Sequence, residues 1–374
     1  MDIAVICFTK SGLDVVGKIK KNEWKLSEYS FNYYCKCNAM ENENIEIAKY
    51  TKKSVSRWAK QHFEKKEALV FVGAVGIAVR AVSALVSDKL EDSPVIVIDD
   101  KGQYVIPILS GHVGGANEIA GNLAKVLEAI PVITTSTDIH NMFSVDVFAG
   151  KNNLRIINKE AIVKVSSRIL NGEKIVMVVD DTECMGIESY EKYTKQIDVV
   201  KISDASSMKL TNNKKVISQK ADVYIGVLPY EQDKEYLWLK PKEYVVGIGC
   251  KKGKSKDDIK VLVCECLQKA GIEIENVCCI ASIDVKKDEE GIIELAKDLR
   301  VGFNTFSAKE LQAVEGDFTE SQFVEQMVGV GNVCERAAVA ACQGTGQIIL
   351  KKCAADGITV AVAKKRWRLD FNYE

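Results

Sequence analysis

The 374-residue sequence has little arginine, little histidine and no long apolar run. Only eight of its 51 basic residues are arginine, and the formal net charge is -1. Composition therefore gives no electrostatic reason to expect a nucleic-acid or membrane partner. No stretch approaches the length of about 18 consecutive apolar residues that a membrane-spanning helix needs. The opening MDIAVICFTK lacks the basic and long apolar segments of a signal peptide, so we expect a cytoplasmic protein.

Cysteine, in contrast, is abundant. The twelve cysteines are scattered along the chain, and several, such as Cys7, lie inside apolar runs. In a reducing compartment such residues act as small hydrophobic side chains. The pairs Cys35-x-Cys37 and Cys278-Cys279 lack the spacing of a zinc site, so we expect no metal held by the protein.

Short β-branched runs alternate with longer runs of helical periodicity. In the first third, this pattern predicts strands at 3–8, 67–73, 94–99, 104–109 and 131–135, and helices at 11–21, 45–65, 76–88 and 116–129. Repeated strand-then-helix order predicts a multidomain α/β protein with mostly parallel sheets flanked by helices and glycine-rich strand-to-helix turns. The length alone favours two or three domains.

Composition divides the chain into three regions and one connection. We predict an amino-terminal α/β domain at 1–137, a middle α/β region at 138–228, a linker at 229–243 bracketed by Pro229 and Pro241, and a carboxy-terminal α/β domain at 244–374. Within the middle region, a helix is predicted at 159–174 and strands at 175–181 and 221–228. In the last region, residues 326–344 are predicted to repeat the strand, glycine turn and helix unit.

Four glycine-rich turns join a predicted strand to a predicted helix. They are FVGAVGIAVR (71–80), LSGHVGGAN (109–117), VVGIGCKKGKS (245–255) and VGVGNVCERAA (328–338). The first N–H groups of a helix have no internal partner, and glycine lets a ligand approach the backbone, so such turns suit anions. In open parallel sheets they gather at the carboxyl edge of the strands.

The turn at 245–255 resembles a phosphate-binding loop only in part. It ends in Gly253-Lys254-Ser255, but the first glycine of that motif would fall at position 248, which is isoleucine. The turn at 328–338 similarly has Cys334 where a dinucleotide-binding fingerprint has its third glycine. A nucleotide-dependent enzyme that uses Gly253-Lys254-Ser255 therefore stays an alternative.

The turn that contains His112 carries the strongest chemical indication. An imidazole in a bend between small residues can take or give a proton near neutral pH. The amides of Gly114 and Gly115, at the start of the next helix, are candidate oxyanion donors. Ser110 lies two residues before His112 without a G-x-S-x-G elbow, so a serine nucleophile is one alternative. A capping turn with an exposed histidine is the other.

The order of these motifs resembles the CbiG family of the anaerobic cobalamin (vitamin B12) pathway. The resemblance rests on FVGAVGIAVR, VIVIDDKGQYVIPILSGHVGGANEIA, PVITTSTD, VVGIGCKKG, ASIDVKKDEEGI, FSAKEL, VGVGNVCERAA and TVAVAKK, and it extends over nearly the whole chain. It implies a hydrolase that opens the δ-lactone of cobalt-precorrin-5A with water. A two-carbon unit then leaves as acetaldehyde, which gives cobalt-precorrin-5B.

The resemblance also implies site residues and partners. Cobalt arrives in the substrate, so no protein-bound cofactor is expected, and other cobalamin-pathway enzymes are candidate partners. His112 becomes the candidate base, with Asp100 and Glu118 as further candidates for proton transfer. The candidate substrate-binding residues are Gly73, Gly76, Arg80, Ser110, Gly111, Gly114, Gly115, Asn117, Thr135, Gly247, Gly249, Lys251, Lys252, Lys286, Gly329, Gly331 and Glu335. A non-catalytic carrier of the tetrapyrrole is the main alternative from another class.

Overall fold

The computed structural model describes residues 1–37, 46–88, 91–112, 114–140, 142–203, 209–211, 214–216, 220–231 and 235–372. These form two units, Met1–Met142 and Phe143–Glu374. The first unit contains, in order, β1 (Asp2–Cys7), α1 (Lys10–Lys21), β2 (Ser30–Cys35), β3 (Lys49–Tyr50), α2 (Val55–Glu64), β4 (Ala68–Val72), α3 (Val75–Val82), β5 (Val95–Ile98), β6 (Tyr104–Leu109), α4 (Ala116–Leu127), β7 (Ile130–Pro131) and α5 (Ser136–Ile139).

The first unit is a seven-stranded sheet with helices on both faces. Its strand order is β3-β2-β1-β4-β5-β6-β7, and the first five of these strands are parallel. Successive side chains of a strand point to opposite faces. Ile3 and Val5 accordingly pack in the core cluster with α1 and α4, whereas Ala4 and Ile6 pack in the cluster with α2 and α3. Burial on both faces explains why these strands read as continuous apolar runs.

Strand β6 runs in the opposite direction to its neighbour β5. The two strands form a hairpin through residues 99–103, and the Asp99 carboxylate accepts hydrogen bonds from the amides of Lys101, Gln103 and Tyr104. Strand β7 is parallel to β6. The carboxyl ends of β6 and β7 therefore lie at the edge of the sheet where β1, β4 and β5 begin.

Three predicted elements of this unit differ in the structure, and one strand was not predicted. The predicted helix 76–88 already ends at Val82. The predicted helix 45–65 begins only at Val55, after Ser54, whose hydroxyl accepts a hydrogen bond from the Arg57 amide; residue 45 lies outside the described residues. The predicted strand 131–135 stops at Pro131, because the following polar residues form a loop that leads to α5. Strand β2, the aromatic run SFNYYC, was not predicted from the sequence, and it is only partly buried.

The second unit begins with the middle region. Its elements are α6 (Val145–Lys151), β8 (Leu154–Ile156), α7 (Ala161–Leu170), β9 (Ile175–Val179), β10 (Cys184–Glu188), β11 (Ile197–Lys201), β12 (Lys209–Thr211), β13 (Lys214–Val216), β14 (Val223–Ile225), β15 (Tyr230–Glu231) and β16 (Leu237–Pro241). The main sheet has the order β11-β9-β14-β16-β8 and is parallel except for β8. The predicted linker at 229–243 thus contributes β16 to the interior of this sheet.

The same unit continues into the carboxy-terminal region. Its elements are β17 (Tyr244–Cys250), α8 (Lys256–Lys269), β18 (Val277–Ile283), α9 (Glu290–Leu299), β19 (Gly302–Phe306), α10 (Ala308–Gln312), α11 (Gln322–Val328), α12 (Cys334–Ala340), β20 (Gln347–Ala355), β21 (Ile358–Lys364) and β22 (Trp367–Asp370). Strands β19, β18 and β17 are parallel, and β21 and β20 continue the sheet in antiparallel order. Helices α8 and α9 cover one face, and α12 covers the other.

One predicted strand of this region is wrong. The start of the predicted unit at 326–344 lies in helix α11, which ends at Gly329 in the left-handed conformation, with φ of +77°. The short apolar run MVGV is therefore a helix end followed by a turn. Elsewhere the prediction of a multidomain α/β protein with mostly parallel sheets flanked by helices is confirmed. No helix in the described part of the chain is long and apolar enough to cross a membrane.

Candidate functional site

The histidine turn, which we define as Ser110–His112 with Gly114 and Gly115, joins β6 to α4. Ser110 adopts the left-handed backbone conformation, with φ of +55°, and its hydroxyl donates to the Asp92 carbonyl at 2.9 Å. The Ala116 amide donates to the Ser110 carbonyl at 3.1 Å. Ser110 is buried, and its hydroxyl is used to fix the turn. This geometry disfavours the serine as a nucleophile paired with His112.

The His112 side chain contacts α5, the short helix after β7. Its Nε2 lies 3.0 Å from the Thr137 hydroxyl oxygen. In the loop just before α5, the Thr135 hydroxyl accepts a hydrogen bond of 2.8 Å from the Asn117 side-chain amide. The carboxyl ends of β6 and β7 thus bring four hydrogen-bonding side chains together. The contact with Thr137 fixes the orientation of the imidazole ring.

The backbone amides of the histidine turn are only partly available to a ligand. The Gly115 amide donates to the His112 carbonyl at 2.9 Å, and the Asn117 amide donates to the Gly111 carbonyl at 3.0 Å. The amides of Gly111 and Gly114 donate no hydrogen bond to an acceptor among the described residues. Of the two predicted oxyanion donors, Gly115 is therefore already engaged, and Gly114 is open.

The other two proton-transfer candidates lie on other elements than the histidine. Asp100 lies in the β5–β6 turn, where it accepts a hydrogen bond from the Thr9 hydroxyl beside α1. The length of β6 separates it from His112 by roughly 17 Å. Glu118 is exposed on the first turn of α4. Burial raises the pKa of Tyr29 and the Glu118 charge adds to the rise, so this carboxylate lies near that phenol.

The first glycine turn lies at the same edge as Asp100. Gly73 follows β4, where its amide donates to the Ile98 carbonyl at 2.8 Å, and Gly76 lies in the first turn of α3. The Arg80 guanidinium donates back to the Gly76 carbonyl at 3.1 Å. The structure therefore places these three candidates at the edge opposite to the histidine turn.

The carboxy-terminal region contains a cavity of about 550 Å³, which we call the lysine-rimmed cavity. It lies at the carboxyl ends of β17 and β18 and at the start of α12. The residues around it are Gly249, Cys250, Lys251, Lys252, Ile283, Val285, Lys286, Val324, Met327, Val328, Asn332, Val333, Cys334, Lys352, Gly357 and Thr359. The third and fourth glycine turns of the sequence thus meet at one site. The third turn follows β17 as expected for a parallel strand, whereas the fourth joins two helices, α11 and α12.

The loop that resembles a phosphate-binding loop is closed by a carboxylate. Glu289 accepts hydrogen bonds from the Gly253 amide at 2.6 Å and from Lys286 at 2.8 Å. Burial alone would raise the pKa of Glu289, but Lys286 and the Gly253 amide outweigh it and hold the pKa below its usual range. The Ser255 hydroxyl accepts from the Asp258 amide as a helix cap. A phosphate would need the amide that Glu289 occupies.

Three glycines near the cavity have structural roles. A Cβ atom at Gly247 would lie 1.8 Å from the Cys334 carbonyl oxygen, so this glycine lets α12 approach β17. The Gly331 carbonyl accepts from the Ser321 amide, and Gly329 ends α11. None of these three predicted glycines lines the cavity.

Glu335 joins three segments instead of facing the cavity. It is fully buried on α12. Its carboxylate accepts hydrogen bonds from the Thr319 amide and hydroxyl at 2.8 and 2.9 Å and from the Lys352 amide at 2.7 Å. A buried acid with these donors is a structural anchor, and the structure gives it no contact with the cavity.

Some residues of the two sites were not predicted as site residues from the sequence. Thr137 holds His112, Asp92 holds Ser110, and Lys352 lies on the cavity rim. Thr137 belongs to the polar run TTSTD, whose position after a strand was the available signal. Asp92 and Lys352 have no local motif. Within the described residues, no group of three or more His, Cys, Asp or Glu side chains could hold a metal ion.

Comparison with known proteins identifies the family. The family models described as "Cobalamin synthesis G N-terminal", "Cobalamin biosynthesis central region" and "Cobalamin synthesis G C-terminus" match residues 57–138, 143–241 and 244–363. The cobalt-precorrin-5A hydrolase of Salmonella typhimurium is 34% identical over 307 residues, which are 81% of this chain and 84% of that protein. The one from Priestia megaterium is 28% identical over 372 residues, 97% of this chain and 94% of that protein.

A solved structure of a putative cobalamin biosynthesis protein G homolog from Sulfolobus solfataricus covers 97% of both chains, with 24% identity and a TM-score of 0.36. The assignment rests on the sequence relatives and on the three matches, which follow one another in the order of the regions. The chain belongs to the cobalamin synthesis G (CbiG) family.

Proposed function

We propose that this protein is a cobalt-precorrin-5A hydrolase of cobalamin biosynthesis. The observation that carries the proposal is the 34% identity to a relative of that name over 81% of the chain. The cavity and the histidine turn are compatible with it, because one offers a binding surface and the other offers a proton-transfer group. We place the protein in the cytoplasm, with other enzymes of the pathway as partners.

In the first step of the proposed reaction, water attacks the lactone carbonyl carbon. The His112 imidazole takes a proton from the water as the new carbon–oxygen bond forms. The Thr137 hydroxyl, 3.0 Å from Nε2, keeps the ring in position. The open Gly114 amide can donate to the developing oxyanion. The ring oxygen then leaves as an alcohol and receives the proton from the imidazolium.

The second step breaks a carbon–carbon bond. A base removes the proton of the newly formed hydroxyl, its oxygen becomes the carbonyl of acetaldehyde, and the bonding electrons pass into the conjugated macrocycle. The macrocycle then takes up one proton, which balances the step. Asp100 lies at the opposite end of β6 from His112, and Glu118 is exposed on α4. Among the three proton-transfer candidates, we assign this base to His112 as well. The cobalt belongs to the substrate, and we propose that no protein-bound cofactor takes part.

Acetaldehyde release from purified protein and cobalt-precorrin-5A under anaerobic conditions tests this proposal. We expect stoichiometric acetaldehyde from the wild type and a loss of at least about a hundredfold in rate for His112→Ala. His140→Ala is the matched control, because His140 is exposed beyond α5 and its substitution should leave the rate of acetaldehyde release unchanged. Circular dichroism checks that both variants fold.

The outcomes separate the alternatives. A rate within a few fold of wild type in folded His112→Ala would remove the base assignment but keep the reaction. No acetaldehyde from any variant, with tight substrate binding, would favour the carrier. Thermal stabilisation by ATP with Mg²⁺ would support the nucleotide-dependent alternative.

A further inference from the structure

The lysine-rimmed cavity has an aliphatic interior and a cationic edge. Its walls include the branched aliphatic side chains of Ile283, Val328 and Val333, and no Asp or Glu is among the residues around it. Burial raises the pKa of the Cys334 thiol to about 11, so this thiol is neutral at physiological pH. All of the formal charge on the cavity is therefore positive.

Most of this charge is not neutralised by the protein. Lys286 is paired with Glu289. Among the described residues, no carboxylate oxygen lies within 4.0 Å of the amino groups of Lys251, Lys252 or Lys352. Free surface lysines are common singly, but three around one apolar cavity form a local positive field.

One of these lysines is held in place before any ligand binds. The Lys251 amide donates to the Gly357 carbonyl at 2.9 Å, and a Cβ atom at Gly357 would lie 2.8 Å from Lys251 Cδ. Gly357 adopts φ of +75°. The lysine stem thus lies along bare backbone, which reduces the conformational entropy that binding would cost.

Large apolar side chains stay exposed at the cavity. Met327 on α11 is 68% exposed, and Val285 after β18 is 66% exposed. Both border the cavity. Apolar surface that is left in water beside an apolar cavity marks a surface on which a ligand completes the burial.

We infer that the lysine-rimmed cavity binds one edge of an amphipathic macrocycle that carries several carboxylates. Its ring atoms lie on the aliphatic walls, and its peripheral carboxylates pair with Lys251, Lys252 and Lys352. The inference rests on the proposed function for the identity of the macrocycle. A cavity of about 550 Å³ accommodates part of a tetrapyrrole, so the rest of the ligand stays outside it.

Binding is measured on the full chain with a stable probe, dicyanocobyrinic acid, whose peripheral carboxylates are free. Its fully methylated ester has the same ring without the charge. Absorbance titration gives the dissociation constant of each. We expect the acid to bind at least about tenfold tighter than the ester at low salt, with the difference falling as salt increases.

Variants then locate the site. We expect a dissociation constant for the acid that is about two- to fivefold higher in each of Lys251→Gln, Lys252→Gln and Lys352→Gln. Lys351→Gln is the control, because Lys351 is the neighbour of Lys352 on β20, pairs with Asp317 and does not border the cavity. Met327→Glu should raise the dissociation constant of the acid by more than about tenfold, since it adds a negative charge to the edge of the cavity.

Val261→Glu is the control for Met327→Glu, because Val261 is 60% exposed on α8 and lies outside the cavity. Equal binding of acid and ester, or wild-type affinity in both the lysine variants and Met327→Glu, would overturn the inference. Since the readout is binding, it is independent of acetaldehyde release. If the wild type releases no acetaldehyde but the variants bind the acid more weakly than the wild type does, the binding site stands and the proposed function is refuted.

Discussion

Removal of the Glu335 carboxylate should destabilise the second unit. The buried carboxylate accepts three hydrogen bonds, two from Thr319 and one from the Lys352 amide. A hydrogen bond to a charged group contributes about 1.5–3 kcal/mol, and partial rehydration of the exposed Thr319 reduces the total. We expect Glu335→Ala to cost about 3–5 kcal/mol and Glu335→Gln, which keeps one acceptor, about 2–3 kcal/mol.

Thermal unfolding and amide hydrogen exchange together test this expectation. For a unit of this size, Glu335→Ala should lower the Tm of the second unit by about 10 °C. It should also speed exchange at the Lys352 amide, which loses its acceptor. Glu325→Gln, an exposed acid on α11, is the control and should change neither. An unchanged Tm with full protection of the Lys352 amide in Glu335→Ala would refute the anchoring role.

Three further predictions concern the histidine turn and the cavity. Gly114→Ala should destabilise the first unit by about 1–3 kcal/mol in urea unfolding, because its Cβ would lie 2.5 Å from Ser110 Cβ; equal stability would contradict this packing. Thr137→Val should lower kcat about tenfold with little change in KM, and Thr137→Ser should keep kcat near the wild-type value. A higher KM with unchanged kcat in Thr137→Val would exclude a positioning role. Glu289 has a folded pKa below 4.5, so its stabilising effect is full above about pH 4.5 and disappears as the pH falls through that lower pKa. Glu289→Gln should therefore flatten the acid side of the Tm profile, and an unchanged profile would exclude this ion pair as its cause.

The direction of β6 could have been inferred from the sequence. Residues 99–103 separate β5 from β6, and a parallel connection needs about a dozen residues or more, so this spacing already requires a hairpin. The carboxyl-edge rule was applied to all four glycine turns without that test. It held for the turn after β17 at the lysine-rimmed cavity, whereas the turn at 328–338 follows helix α11 and reaches the cavity in another way. It failed to place Asp100 and His112 correctly, because their strands run in opposite directions.

Other features needed the three-dimensional structure. The glycine-rich turns were visible in the sequence, yet Gly247 has its role through a helix far along the chain, at Cys334. Glu335 has the sequence context of a ligand-binding acid, but its partners come from two distant segments. Long-range hydrogen bonds leave no periodic or local signal. Strand positions with continuous apolar runs, in contrast, were predictable because burial on both faces dictates them.

Strand β22 has a consequence for the synthesis of the protein. Although it is the last strand of the carboxy-terminal region, it pairs with β10 of the middle region. Asp370 exchanges two hydrogen bonds with Asn152, and Phe371 packs on Phe148 with a ring-centroid distance of 4.5 Å. During translation, the aromatic core of the middle region therefore lacks Phe371 until residues 367–371 leave the ribosome. A fragment cut at the family boundaries would retain that exposed core permanently, and chaperones or proteases would recognise it.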